Sequence, residues 1–135
     1  LGICMGLQVL FAHSEEGDTP CLAKFEGNVI RFQDGMRDTQ GNKLKVPHMG
    51  WNNVRQGFAH PLWSGIEDGA RFYFVHSYYV APADPGIAVG YASYPDDFVC
   101  ACARDNIFAV QFHPEKSAKD GLRLLTNFMN WDGKL

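Results

Sequence analysis

Two short segments near opposite ends of the sequence carry residue types suited to covalent chemistry. Gly2-Ile3-Cys4-Met5-Gly6 has the form G-x-C-x-G, a cysteine version of the sharp strand-to-helix turn that lifts a nucleophile clear of a sheet while flanking glycines relieve crowding. At a helix N-terminus the Cys4 thiol would feel the positive end of the helix dipole, which favours thiolate. The backbone N–H of Met5 would face a developing oxyanion. Val110-Gln111-Phe112-His113-Pro114-Glu115 reads as a strand ending in a histidine, with a carboxylate two residues on. Pro114 fixes its own φ and biases His113 toward extended backbone, so Glu115 can accept from one ring nitrogen while the other faces the sulfur. Cys4, His113 and Glu115 then form nucleophile, base and orienter. Each segment alone also has a plain reading, as a buried cysteine in a Gly-rich turn and a structural histidine at a strand end.

The other candidates carry less. His48 beside Trp51, and His76 at the end of an aromatic run, sit at loop rims where they border a site or make structural hydrogen bonds. His13 is expected at the end of the first helix as a charge complement, and His60 in a loop before Pro61. Cys100-Ala101-Cys102 is an i, i+2 pair that a strand places on one face, and these thiols, like Cys21, read as free and structural in a reducing compartment. His113-Pro114-Glu115 also satisfies the H-x-E half of the zinc deaminase signature. The P-C-x-x-C half fails, because one residue separates Cys100 from Cys102 and Pro20-Cys21 lies upstream. No metal or cofactor is expected.

These residues need elements to hold them. From Cys4, apolar residues at Leu7, Leu10 and Phe11 predict a helix that breaks at Ser14-Glu15-Glu16-Gly17-Asp18. Lys24 to Gln33 predicts a strand, followed by turns up to Asn42, and Pro47 to Asn52 has loop chemistry. Arg71 to Tyr79 is aromatic and β-branched enough for a central strand. Ile87 to Tyr94 is another strand, and Phe98–Ala103 with Ile107–His113 forms a hairpin over Arg104-Asp105-Asn106. Ser117 as N-cap with Asp120 three residues on opens a closing helix that carries Leu122, Leu125, Phe128 and Met129. A β–turn–α start, a hairpin and a final helix predict an α/β domain with a mixed sheet. Ligands bind at the carboxyl ends of strands in such sheets, which is where Cys4 and His113 can meet.

The chain has 135 residues with 46% hydrophobic and 20% charged, the composition of one ordinary globular domain. A net charge of −3 and a pI near 5.9 disfavour nucleic acid and anionic lipid. No apolar run approaches a membrane span and no signal-type segment opens the chain, so a cytoplasmic protein is expected. Leu1 leads straight into an apolar Gly-rich stretch, as in the middle of a domain, which predicts that N-terminal structure is missing from residues 1–135.

Gly2-Ile3-Cys4-Met5-Gly6-Leu7-Gln8, Phe74-Val75-His76-Ser77-Tyr78 and Gln111-Phe112-His113-Pro114-Glu115-Lys116-Ser117, in this order over nearly the whole chain, resemble the class I (triad) glutamine amidotransferases. Val46-Pro47-His48-Met49-Gly50-Trp51-Asn52, Gly65-Ile66-Glu67-Asp68-Gly69 and Phe72 to Tyr78 are similar, within that class, to the family of glutaminase subunits of imidazole glycerol phosphate synthase in histidine biosynthesis. The resemblance implies a three-layer, flavodoxin-like α/β fold with a mixed, mainly parallel sheet. It also implies that Cys4 attacks the glutamine side-chain amide, with His113 and Glu115 completing the triad and Met5 serving the oxyanion. Gln8, Glu16, Ser77 and Tyr78 would hold the substrate. His48, Met49, Gly50 and Trp51 would face a (βα)8-barrel cyclase subunit that receives the ammonia in a cytoplasmic heterodimer. Family members carry a Gly-rich oxyanion loop before the Cys turn, so Met5 would be the only such donor here and the chain alone poorly active. Another class I amidotransferase, differing at residues 46–52, and a catalytically silent partner-binding relative are the rival readings.

Overall fold

Gly2–Ile3 and Ile107–Val110, from opposite ends of the sequence, run parallel and side by side, Gly2 beside Ala109 and Ile3 beside Val110. In the computed structural model, which describes residues 1–135, the chain runs β1 (Gly2–Ile3), α1 (Met5–Gln8), β2 (His13–Ser14), β3 (Thr19–Pro20), β4 (Gly27–Arg31), β5 (His48–Asn53), β6 (Arg55–Gln56), β7 (Arg71–His76), β8 (Tyr78–Pro82), β9 (Ala88–Ser93), β10 (Asp97–Arg104), β11 (Ile107–Val110) and α2 (Ala118–Met129). Single 3-10 turns lie at Pro61–Trp63, Pro85–Ile87 and Pro114–Lys116. No helix is long and apolar enough to cross a membrane.

The main sheet has the order β1-β11-β10-β8-β4-β2-β3, with β9 on β10 and β6 on β9, while β5 and β7 form a separate two-stranded sheet. Alternation along β11 divides the core in two. Phe108 and Val110 join a cluster containing Trp63, Phe72, Phe74, Phe112 and Leu124 of α2. Ala109, between them, joins Leu7 of α1 with Phe11, Phe25, Val29 and Val80. Successive strand residues face opposite ways, so the two helices lie on opposite sides of the sheet and the domain has the three layers expected. The sheet is mixed, also as expected. Its balance within these residues differs, however: β1–β11 and β2–β4 are parallel and the remaining pairings are antiparallel.

The β10–β11 hairpin and the strands within Lys24–Gln33 and Ile87–Tyr94 form where predicted. Other expectations are corrected. The first helix is only Met5–Gln8: the Leu10 and Phe11 N–H groups already bond three residues back, to Leu7 O and Gln8 O at 3.2 Å, and the Ala12 N–H then leaves for Gly27 O at 3.1 Å. His13 therefore lies in a strand, its Nε2 2.6 Å from Asp18 Oδ1. The segment expected as a loop from Pro47 to Asn52 lies, beyond Pro47, in strand β5 (His48–Asn53), in register with β7 from His48 beside His76 to Asn53 beside Arg71. Arg71–Tyr79 divides at Ser77 into two strands, and β7 belongs to the small sheet. Cys100 and Cys102 sit in opposite core clusters, because the β10–β9 register shifts on both sides of Ala101 and breaks the alternation.

In α2 the packed positions are Gly121, Leu124 and Phe128, whereas Leu122 and Met129 are exposed. A Cβ on Gly121 would collide with the Pro114 carbonyl, so only glycine lets the helix backbone approach the His113-Pro114-Glu115 turn this closely. Ser117 precedes α2 without a side-chain capping bond. Its hydroxyl is used elsewhere, as described below.

Candidate active site

The strand-to-helix turn is strained at its central residue. Cys4 has φ 56° and ψ −105°, a conformation that costs a non-glycine residue about 1–3 kcal/mol and persists only where its surroundings over-determine it. The Cys4 N–H donates to Val110 O at 2.8 Å, and Cys4 O accepts from Leu7 N at 3.0 Å. Gly2 has no room for a side chain, since a Cβ there would lie 2.5 Å from Gly6 O. Gly6 differs from expectation, with nothing within 4 Å of a Cβ placed there. One flanking glycine, not both, relieves crowding among these residues.

The Cys4 thiol is raised above its ordinary pKa, first by burial and also by the Glu115 charge. Hydrogen bonds from the Met5 N–H and the Gln111 amide, and the charge of Lys116, act in the other direction. Expected help from a helix dipole is overruled: α1 has four residues, and desolvation of the sulfur dominates.

His113 opens the 3-10 turn, with Nδ1 3.1 Å from Glu115 Oε2. A carboxylate only accepts, so Nδ1 carries the proton of the neutral ring and Nε2 presents a lone pair. The turn is clamped to β7. His113 N–H donates to Tyr73 O at 2.9 Å, Ser117 Oγ donates to His113 O at 2.6 Å, and Tyr73 N–H donates to Ser117 Oγ at 2.9 Å. The serine expected to cap α2 instead anchors the histidine backbone.

A cleft of about 200 Å³ is lined by Cys4, Met5, Gln8, Glu16, Val75, His76, Ser77 and Tyr78. At about 30 Å³ per water that is roughly seven waters, the scale of one small amino acid. All the residues expected to hold substrate thus share a cavity with Cys4 and Met5. His113 does not line it, but follows β11, whose Val110 is bonded to Cys4.

Residues 1–131 match the family described as glutamine amidotransferase class-I. The chain belongs to this family. Among its relatives are proteins named imidazole glycerol phosphate synthase subunit HisH: one from Thiobacillus denitrificans, 67% identical over 133 residues, covering 98% of this chain and 58% of the relative, and one from Dechloromonas aromatica, 63% identical over 132 residues, covering 97% and 61%. The chain spans about 60% of the length of these relatives. A crystal structure of a Thermoplasma acidophilum protein described as a subunit of GMP synthase shares the fold, with a TM-score of 0.61 at 17% identity, covering 96% of this chain and 54% of that one.

Within this member of the family the residues expected at a docking face divide. Met49 is 61% and Trp51 47% exposed, but His48 is 4% exposed and points inward. The correction follows from period 2 along β5: His48 and Asn52 share the inner face, Met49 and Trp51 the outer. His48 Nδ1 lies 2.9 Å from His76 Nε2, His76 Nδ1 lies 2.7 Å from Tyr78 O, and Asn52 Nδ2 lies 3.3 Å from His48 Nε2. The carbonyl can only accept, so His76 carries its proton on Nδ1 and His48 donates to His76. Burial, then the neighbouring His76, lowers the His48 pKa to about 3. Burial lowers that of His76 to about 4, partly opposed by the Tyr78 carbonyl.

Burial pushes the Cys102 thiol up to about 12 and that of Cys100 still further, which fits their structural reading. No cluster of three or more His, Cys, Asp or Glu side chains forms a metal-ligand set. Two residues of the site escaped sequence reasoning. Val75 lines the cleft, and Gln111, fully buried, donates to Cys4 Sγ at 3.7 Å. The signal for Gln111 was a large amide between Val110 and Phe112 in an otherwise apolar strand end.

Proposed function

We propose that the chain is part of one amidotransferase domain, the glutaminase subunit of an imidazole glycerol phosphate synthase, which hydrolyses glutamine and delivers ammonia to a cyclase partner in the cytoplasm. The observation that carries this reading is the strained Cys4 opening into the cleft lined by Gln8, Glu16, Ser77 and Tyr78, with the His113–Glu115 pair following the adjacent strand. Cys4 gives its proton to His113 Nε2 as the sulfur attacks the side-chain carbonyl carbon of glutamine. The resulting oxyanion faces the Met5 N–H. Collapse expels ammonia, protonated from His113, and leaves a γ-glutamyl thioester. His113 then takes a proton from water, the hydroxyl attacks the thioester, and glutamate leaves as Cys4 regains its proton. Glu115 holds the ring and stabilises the imidazolium in both halves.

The Glu16 carboxylate suits the substrate's α-amino group, while the backbone at Ser77 and Tyr78 borders the rest of the amino acid. Met49 and Trp51, on the outer face of β5 either side of the inner-register Gly50, form the docking surface, exposed apolar side chains of the kind a partner covers. That partner is a (βα)8-barrel cyclase, which joins the ammonia to a phosphorylated ribulosyl nucleotide. Mapping by mass spectrometry where a diazoketone analogue of glutamine attaches, in the presence of the cyclase, tests the reading. One adduct on Cys4, suppressed by excess glutamine, is expected. No adduct, or one on Cys21 insensitive to glutamine, overturns it.

A further inference from the structure

We propose that Gln111 is a further catalytic residue, its side-chain N–H donating to the sulfur of Cys4 in an orientation set by the Tyr78 carbonyl through the Gln8 amide. The inference rests on Cys4 being the nucleophile. Gln111 is fully buried between Val110 and Phe112, where an amide without partners would be strongly unfavourable. An apolar residue would pack there without that cost, so the amide is explained by what it bonds.

Its orientation follows from one carbonyl. Tyr78 O accepts from His76 Nδ1 at 2.7 Å and from Gln8 Nε2 at 3.2 Å. A carbonyl has no proton to give, so the Gln8 side chain must present its NH2 there, not its oxygen. The same Nε2 lies 3.0 Å from Gln111 Oε1. The Gln111 oxygen is thereby committed to Gln8, and its NH2 is left facing Cys4 Sγ at 3.7 Å. Behind Tyr78, His76 is held by His48, and His48 by Asn52 of β5. Each member has a single consistent donor direction, from Asn52 through both imidazoles to the Tyr78 carbonyl, and from Gln8 through Gln111 to the sulfur. Gln8 is therefore a positioning residue as well as part of the cleft wall.

A neutral donor suits this place. Burial and the Glu115 carboxylate both act against a negative sulfur, and an N–H aimed at it favours the thiolate as it forms. A fixed cation would do so more strongly, but thiolates of lower pKa are weaker nucleophiles.

The test is the rate at which iodoacetamide, a neutral reagent, alkylates Cys4 relative to Cys21 in the same molecule, followed by mass spectrometry across pH. Gln111→Leu should lower the Cys4/Cys21 ratio near neutral pH about tenfold and raise the pH midpoint of Cys4 alkylation by about one unit. Gln111→Glu, close to isosteric, should raise it further, because an oxygen replaces the donor. Gln8→Leu should produce a smaller shift by freeing the Gln111 amide to turn. A loss of packing alone would not order the variants this way. Should Gln111→Leu fail to fold by circular dichroism, Gln111→Glu and Gln8→Leu decide the question. Midpoints that stay at the parent value in folded variants overturn the proposal, even if the glutamine analogue still labels Cys4. Absence of that label in the parent would instead remove the nucleophile reading, whatever the midpoints do.

Discussion

Lowering the pH should destabilise this domain through one identifiable pair of side chains. His48 and His76 are 4% and 6% exposed, and their pKa values fall from 6.5 to about 3 and about 4. Both are held neutral in the fold, while the unfolded chain protonates near pH 6.5 and so binds more protons below it. The contribution is therefore fully present above pH 6.5 and is lost as pH falls toward the folded values, at about 1.4 kcal/mol per pH unit for each group. By pH 4.5 the pair removes about 5 kcal/mol relative to pH 8, comparable with the whole stability of a modest domain. Replacing His48 with Phe keeps an aromatic ring against Phe74 and Tyr94, which stack on it at 4.9 and 4.1 Å, but deletes the donor to His76. His48→Phe should be less stable at pH 8 by about 1–3 kcal/mol, for the unpaired His76 nitrogen, and should decline less steeply in acid. Urea unfolding followed by tryptophan fluorescence from pH 8 to 4.5 measures both curves, and titrating carboxylates affect the two proteins alike. The gap should narrow by about 2–3 kcal/mol on acidification; an unchanged gap at both ends of the range would refute the reasoning.

Further expectations concern the turn, its anchor and the docking face. Gly2→Ala should shift β1 and markedly lower the melting temperature, because the intruding Cβ meets backbone at Gly6, while Gly6→Ala should be close to neutral; thermal melts compare them. Cys4→Gly and Cys4→Ala should both abolish glutaminase activity, yet Cys4→Gly should be the more stable by about 1 kcal/mol, since glycine relieves the positive φ; equal stability in urea titrations would argue against strain at the turn. Ser117→Ala removes the link between His113 O and Tyr73 N and should cost about 1–3 kcal/mol together with a fall in kcat, read by unfolding and steady-state assays. Trp51→Ala should leave stability within about 0.5 kcal/mol but weaken cyclase binding by about 2 kcal/mol if Trp51 is a docking anchor, as titration calorimetry would show.

The features legible in the sequence are those that local chemistry specifies. The hairpin over Arg104-Asp105-Asn106 follows from two apolar runs and a short turn, and the Cys4 turn follows from small residues around a reactive one. The family motifs nominated Gln8, Glu16, Ser77 and Tyr78, and all four border the same cleft as Cys4. Strand β5 was hidden because its alternation is inverted. Polar His48 and Asn52 point inward while Met49 and Trp51 point out, so a hydrophobic pattern alone reads as a loop. The packed face of α2 was hidden for a related reason: its closest approach is made by Gly121, which contributes no hydrophobic signal at all.

Residue types and spacing were enough to nominate Cys4, His113 and Glu115, because nucleophile, base and orienter need particular functional groups on short stretches of chain. Only the tertiary structure decided what surrounds them. The pairing of β1 with β11 joins residues more than a hundred positions apart. The burial that raises the Cys4 thiol, and the direction of the Gln111 amide toward its sulfur, depend on side chains drawn from several strands. Desolvation and hydrogen-bond direction are properties of a packed environment, and no single segment contains them.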